Sequence, residues 1–116
     1  MSPKFCVILE TATESACRIL RYWLLKQVGI EWEDVQVGLT PEFKPTVAVV
    51  TLDPARLVRE VTPLTLCLED WRKARDFAAQ GQRVLVLCGG RPAKEFLGYG
   101  ANASKWRGSY SIINAP

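Results

Sequence analysis

The feature that most constrains the fold of this chain is a set of short, continuously apolar segments. Three of them stand out, at Phe5–Leu9, 46–52 and Val84–Cys88, the last within a strand predicted to begin at Arg83. A strand with one face in water alternates apolar and polar residues, whereas a strand covered on both faces is apolar throughout. None of the segments approaches the ~20 residues that cross a bilayer. The segments therefore predict buried strands of a mainly parallel sheet and no association with a membrane.

The sequence between these segments has the periodicity of helices. Apolar residues recur three and four apart, and Gly29 and Gly81 end the two longest patterns, as glycines at helix C-termini do. The further predicted elements are helices at 16–28, 53–61 and 63–80, a short helix ending at Gly98, and strands at 34–39 and 110–113. Strands that alternate with helices indicate an α/β fold. We expect residues 1–116 to form one domain, a three-layer α/β/α sandwich around a small, mainly parallel four-stranded sheet.

Two features of the composition exclude several kinds of catalytic and metal-binding site. Histidine is absent, which excludes Ser-His-Asp and Cys-His catalytic groups and a His-ligated zinc. The four cysteines form no C-x-x-C pair, and we interpret them as small core residues; they are Cys6, Cys17, Cys67 and Cys88. We expect no metal and no cofactor. No signal peptide is visible, so a cytoplasmic location is expected, in the host cell if the protein is viral.

The charge of the chain is concentrated in its second half. The net charge of +3 divides into −1 for residues 1–64 and +4 for residues 65–116, and no acidic residue follows Glu95. Lys105 and Arg107 lie on either side of Trp106. A basic half that also carries aromatic residues is compatible with a polyanionic partner. The alternative is an ordinary protein with a slightly basic surface.

The turn after the strand at Val84–Cys88 is the first candidate site. Gly89 and Gly90 allow close approach of a ligand to the backbone, and Arg91 and Lys94 follow at the start of the next predicted helix. Free N–H groups at such a helix start can hold a phosphate or a carboxylate. The spacing matches neither G-x-G-x-x-G nor a P-loop. The alternative is a tight turn that needs glycine only for its geometry.

The segment at 98–110 is the second candidate site. Lys105, Trp106, Arg107 and Tyr110 interleave cations with aromatic rings, and Gly108 keeps the backbone open. Cations pair with phosphates while rings stack on exposed bases. The alternative is a surface hairpin whose Trp106 packs back onto the domain.

Several short motifs together resemble the uracil-DNA glycosylase superfamily, particularly its bacterial and phage branches. They are V-L-V-L-C-G at 84–89, A-K-E-F-L-G at 93–98, K-W-R-G-S-Y at 105–110, C-L-E-D-W at 67–71 and G-I-E-W-E-D-V at 29–35. The resemblance covers most of residues 16–110. It implies an α/β domain that acts in DNA replication or repair.

The chain departs from that family at the catalytic motifs. The family's water-activating motif after the first strand is absent, and in L-E-T-A-T at 9–13 only Glu10 stands where its acidic residue would be. The family's distal H-P-S motif is also missing, since the chain has no histidine and stops at Pro116. Members of the family with an iron–sulfur cluster bind it with four cysteines. In this chain only Cys67 occupies a matching position. We expect a reduced domain with no cluster.

These departures favour binding over catalysis. Base excision needs a flipped base, a positioned water and stabilisation of the developing uracil anion. We therefore expect a catalytically inactive domain that binds DNA, or a replication or repair protein such as a DNA polymerase. The expected nucleic-acid contacts are Gly89, Gly90, Arg91, Lys94, Lys105, Trp106, Arg107, Gly108 and Tyr110.

Two alternatives stay open at the level of sequence. The first is a divergent active glycosylase that uses Glu10 as a general base, although a carboxylate there is also typical of a helix N-terminus. The second is a structural module that docks onto a larger protein complex, with Trp32 and Trp106 exposed as protein contacts.

Overall fold

The computed structural model describes residues 3–9, 12–51, 62–89 and 111–113 of the 116-residue chain. The strands are β1 (Phe5–Leu9), β2 (Val35–Val37), β3 (Val47–Thr51), β4 (Val84–Cys88) and β5 (Ser111–Ile113). The helices are α1 (Glu14–Trp23) and α2 (Thr62–Ala79). A π-helical turn at Leu24–Val28 continues α1, and a separate 3-10 turn lies at Trp32–Asp34.

One parallel sheet contains all five of these strands, in the order β2-β1-β4-β3-β5. The three central strands β1, β4 and β3 pair along their full length, and every residue of β4 is buried. The α/β fold with a mainly parallel sheet, predicted from the apolar segments, is confirmed. The sheet has one strand more than the four expected, because both short predicted strands pair at the sheet edges, each over only three residues.

Both described helices pack on the same face of the sheet. The crossovers β1-α1-β2 and β3-α2-β4 step in the same direction across the strand order, so two right-handed crossovers place their helices on one face. Trp23 of α1 and Trp71 of α2 meet there edge to face, with ring centroids 6.5 Å apart. Both rings belong to the larger hydrophobic cluster, which includes Val7 and Val86.

A loop covers the amino-terminal part of the opposite face. The connection 38–46 runs back from β2 to β3, and its Phe43 packs against Cys6 and Ala48 in a second cluster. The Cys6 thiol donates to the carbonyl of Gly38 at 3.3 Å, and burial raises the pKa of this thiol to about 12. The predicted helix at 53–61 and the predicted short helix that ends at Gly98 lie outside the described residues. The third layer of the expected sandwich is therefore not among the described elements.

The ends of α1 follow from local chemistry. The Thr13 hydroxyl accepts a hydrogen bond from the amide of Ala16 at 3.1 Å, so the helix begins at Glu14 rather than at residue 16. Gly29, at φ 80°, ends the π-helical turn, which confirms its predicted role. The Arg75 guanidinium donates to the carbonyl of Val28 at 3.2 Å and links α2 to this turn. In the described part of the chain, neither helix has the length and apolar character needed to cross a membrane.

Candidate functional site

The carboxyl ends of β1 and β4 lie side by side in the middle of the sheet. Leu9 is paired with Cys88. From these ends the chain leads in opposite directions, since β1 connects to β2 at one side and β4 connects to β5 at the other. In open α/β sheets, ligands bind in the crevice where neighbouring connections diverge in this way. We call this place the carboxyl edge of β1 and β4.

Gly89 is the member of the predicted site that the structure describes. It directly follows β4, is buried and has a φ of 111°. Only glycine adopts this conformation without strain. The turn therefore requires a glycine for its geometry.

The other predicted site residues lie outside the described residues. They are Glu10, Gly90, Arg91, Lys94, Lys105, Trp106, Arg107, Gly108 and Tyr110. Covalent linkage still limits where two of the predicted segments begin. Glu10 follows Leu9 and Gly90 follows Gly89, so the chain enters both segments from the carboxyl edge of β1 and β4.

The segment at 105–110 joins the sheet at the opposite edge. Tyr110 directly precedes Ser111, and Ser111 is level with Val47 at the amino ends of the strands. An extended chain advances at most ~3.6 Å per residue, so Lys105 can lie some way from that end. The described geometry thus brings the Glu10 and Gly89 segments together and does not bring the basic, aromatic segment to the same edge.

The electrostatics of the carboxyl edge are set by the start of α1. Thr13 already satisfies one amide of the first turn, and Glu14 adds a carboxylate beside the helix N-terminus. The nearest cation of that helix, Arg18, is paired with Glu14 at 3.3 Å. An anionic ligand at this edge would therefore need the positive charge of Arg91 and Lys94, which follow Gly89 in the chain.

The two buried cysteines that the structure describes lie apart in the core. Cys6 and Cys88 are both buried, but they belong to clusters on opposite faces of the sheet. Their interpretation as core residues is confirmed. Cys17 is half-buried, and the side chain of Cys67 lies outside the described part. In the residues that the structure describes, no three of Cys, Asp and Glu are grouped so that they could hold a metal ion.

Two surface features were not predicted from the sequence. Trp32, expected to be exposed, is half-buried against the larger cluster. A cleft of about 350 Å³ also opens near the amino ends of the strands, between Phe43 and Arg83. The guanidinium of Arg83 already donates to the carbonyl of Lys44 at 2.6 Å, which indicates a structural role. A contact of this kind joins residues far apart in sequence and leaves no local signal.

Comparison of the chain with protein-family models, with curated proteins and with solved structures finds no match in any of the three. The likeness to the uracil-DNA glycosylase superfamily therefore stays a prediction from its motifs. The geometry of the carboxyl edge of β1 and β4 is the structural evidence that bears on function.

Proposed function

We propose that this chain binds DNA at the carboxyl edge of β1 and β4 and does not excise bases from it. The observation that carries the proposal is the pairing of Leu9 with Cys88 where two connections diverge. This is the usual position of ligands in parallel α/β sheets. The motifs that resemble the uracil-DNA glycosylase superfamily give the ligand its chemical class.

Phosphate binding would rest on the turn after β4. The peptide N–H groups at Gly89 and Gly90 would bind the phosphate, and Arg91 and Lys94 would supply the positive charge. Backbone N–H groups and cations together form the common phosphate-binding arrangement in proteins. Lys105, Trp106 and Arg107 would give a second contact through stacking and charge. The segment that carries these three residues leads into the amino end of β5.

Catalysis is not part of the proposal because the necessary groups are missing from these 116 residues. The developing uracil anion needs a donor to stabilise it, and the chain has no histidine for this role. Glu10 is the sole acidic residue between Leu9 and α1. A general base alone contributes about 10²- to 10⁴-fold, which is a small part of the acceleration that base excision requires.

The first test is the salt dependence of binding to a fluorescent single-stranded DNA oligonucleotide. Contacts from Arg91, Lys94, Lys105 and Arg107 to four phosphates would give a logarithmic slope of about −2.8, equivalent to about 50-fold weaker binding at 200 mM than at 50 mM salt. Fluorescence anisotropy measures both affinities. No binding at 50 mM salt, or binding that salt does not weaken, would contradict the proposal; a copurifying protein without DNA would then favour the docking module.

The second test separates binding from base excision. Uracil-containing single-stranded DNA is incubated with the wild-type chain and with Glu10→Gln, and abasic product is measured after alkaline cleavage. We expect no product above the blank from either protein, while both bind the oligonucleotide. Product that forms with the wild type and disappears with Glu10→Gln would replace the proposal with an active glycosylase.

A further inference from the structure

The β2 side of the molecule exposes apolar side chains. In the described part of the chain three large apolar residues are exposed: Tyr22 by 67%, Leu25 by 44% and Val37 by 38%. All three belong to the β1-α1-β2 unit. Tyr22 and Leu25 are three residues apart on one helical segment and therefore share a face. Single exposed apolar residues are ordinary, but neighbouring ones beside a groove are typical of interaction surfaces.

Such a groove borders the same helix. It has a volume of about 210 Å³ and is lined by Glu14, Cys17, Arg18, Arg21 and Trp32. The indole of Trp32 is half-buried against the larger hydrophobic cluster, which fixes one wall. Tryptophan, tyrosine and arginine are the residue types that dominate the binding energy of protein interfaces.

Charges of both signs lie at and beside the groove, since Glu14, Arg18 and Arg21 line it and two further acidic residues flank Trp32 in the chain. On α1, Arg21 has no ion pair within the described residues, and Arg18 has only the pair with Glu14, in which both side chains are mostly exposed. An exposed pair of this kind contributes little stability, so Arg18 is available to another partner. Glu31 and Glu33 are the chain neighbours of Trp32, and both are exposed.

This charge pattern distinguishes among possible occupants. A nucleic-acid strand or an acidic peptide across Trp32 would bring negative charge beside Glu31 and Glu33. A second copy of the chain carries both signs. A two-fold axis beside the groove would set Arg18 and Arg21 of each copy against the acidic residues of the other, so each favourable contact would occur twice.

We propose that the chain associates into a two-fold symmetric dimer through this surface, which we call the α1 surface. It consists of Arg18, Arg21, Tyr22, Leu25, Glu31, Trp32 and Glu33. Charge complementarity selects the partner copy, and burial of Tyr22 and Leu25 supplies the apolar contact. The proposal does not depend on DNA binding, because the α1 surface and the carboxyl edge of β1 and β4 use different residues.

Sedimentation velocity at low salt tests the proposal. From about 5 to about 500 µM protein, the range in which weak dimers form, the mass should rise from 13.0 kDa toward twice that value. Arg18→Glu/Arg21→Glu and Glu31→Arg/Glu33→Arg should each weaken the dimer more than about tenfold, because like charges then face each other. Lys4→Glu/Lys44→Glu is the control and should leave association unchanged.

The decisive arm mixes the two charge-reversed variants in equal amounts. Across a two-fold axis, the negative variant then faces the positive one at both contacts, so dimers should reappear. A wild-type chain that stays at 13.0 kDa throughout, or a mixture that stays monomeric, would overturn the proposal. Weaker DNA binding by Arg18→Glu/Arg21→Glu alone would also overturn it, since the surface would then belong to nucleic acid. Circular dichroism confirms that all variants fold.

Discussion

Replacing Trp71 with alanine should lower the free energy of unfolding by about 3–5 kcal/mol. The Trp71 side chain is 1% exposed and is among the largest fully buried ones described. It fixes α2 to the sheet and meets Trp23 of α1 edge to face. Its removal leaves a cavity between the two helices, which the packed strands beneath cannot fill. Urea unfolding followed by circular dichroism measures the effect.

Two further variants make this result interpretable. Tyr22→Ala removes an aromatic ring that is 67% exposed, so it should change stability by less than about 0.5 kcal/mol at low protein concentration. Trp71→Phe keeps part of the packing and should cost about 1–2 kcal/mol, so it remains measurable if the alanine variant does not fold. A Trp71→Ala protein as stable as Tyr22→Ala would show that the two helices do not share the core described above.

Reversing the charges after β4 should weaken DNA binding more than tenfold. Arg91→Glu/Lys94→Glu removes two proposed phosphate contacts and adds two carboxylates at the carboxyl edge of β1 and β4. Losing two contacts should also reduce the logarithmic salt slope by about 1.4 for single-stranded DNA. Fluorescence anisotropy across a salt series measures affinity and slope together.

Matched variants locate the effect. Lys105→Glu/Arg107→Glu makes the same change in the segment before β5, and Lys4→Glu/Lys26→Glu makes it at two exposed positions that belong to neither segment. Each double variant lowers the net charge by four, from +3 to −1. We expect both site variants to lose affinity relative to the Lys4/Lys26 control. Equal losses in all three would mean that net charge alone drives binding, and a loss confined to Lys105→Glu/Arg107→Glu would move the site away from the carboxyl edge.

The buried strands were the most predictable part of the fold. Burial on both faces selects apolar residues at every position, and this pattern is local in the sequence. The strand Val84–Cys88 is the clearest case, with every residue buried as expected. Glycines at helix ends were equally predictable, since Gly29 and Gly81 adopt the positive φ that other residues avoid.

The order of the strands could not be predicted in the same way. The pairing of Leu9 with Cys88 joins residues 79 positions apart. The sequence of a continuously apolar strand does not specify which other strand pairs with it. The segments at 34–39 and 110–113 were both predicted as strands, but the sequence does not show whether so short a strand pairs with the sheet, and both do. The docking-module alternative has Trp32 exposed as a protein contact, whereas packing against the core half-buries it.

The candidate site was predictable in part. Its place directly after a predicted buried strand singled out Gly89, and the φ of 111° shows that the turn after β4 requires a glycine for its geometry. The sequence predicts nucleic-acid contacts in two basic segments but does not show how the two are placed on the sheet. The direction of β5 separates their attachment points, because Tyr110 leads into the amino end of that strand while Gly90 leaves the carboxyl end of β4. Chain order alone does not contain this information.

An NMR titration of the ¹⁵N-labelled chain with a short single-stranded DNA tests the carboxyl edge most directly. The largest amide shift changes should occur at Leu9, Ala12, Thr13 and Gly89, which border the ends of β1 and β4. The amides of Lys4, Thr46 and Arg83, at the amino ends of the strands, should change little. Shift changes confined to this second group, with none at Leu9 or Gly89, would contradict the assignment of DNA binding to the carboxyl edge of β1 and β4.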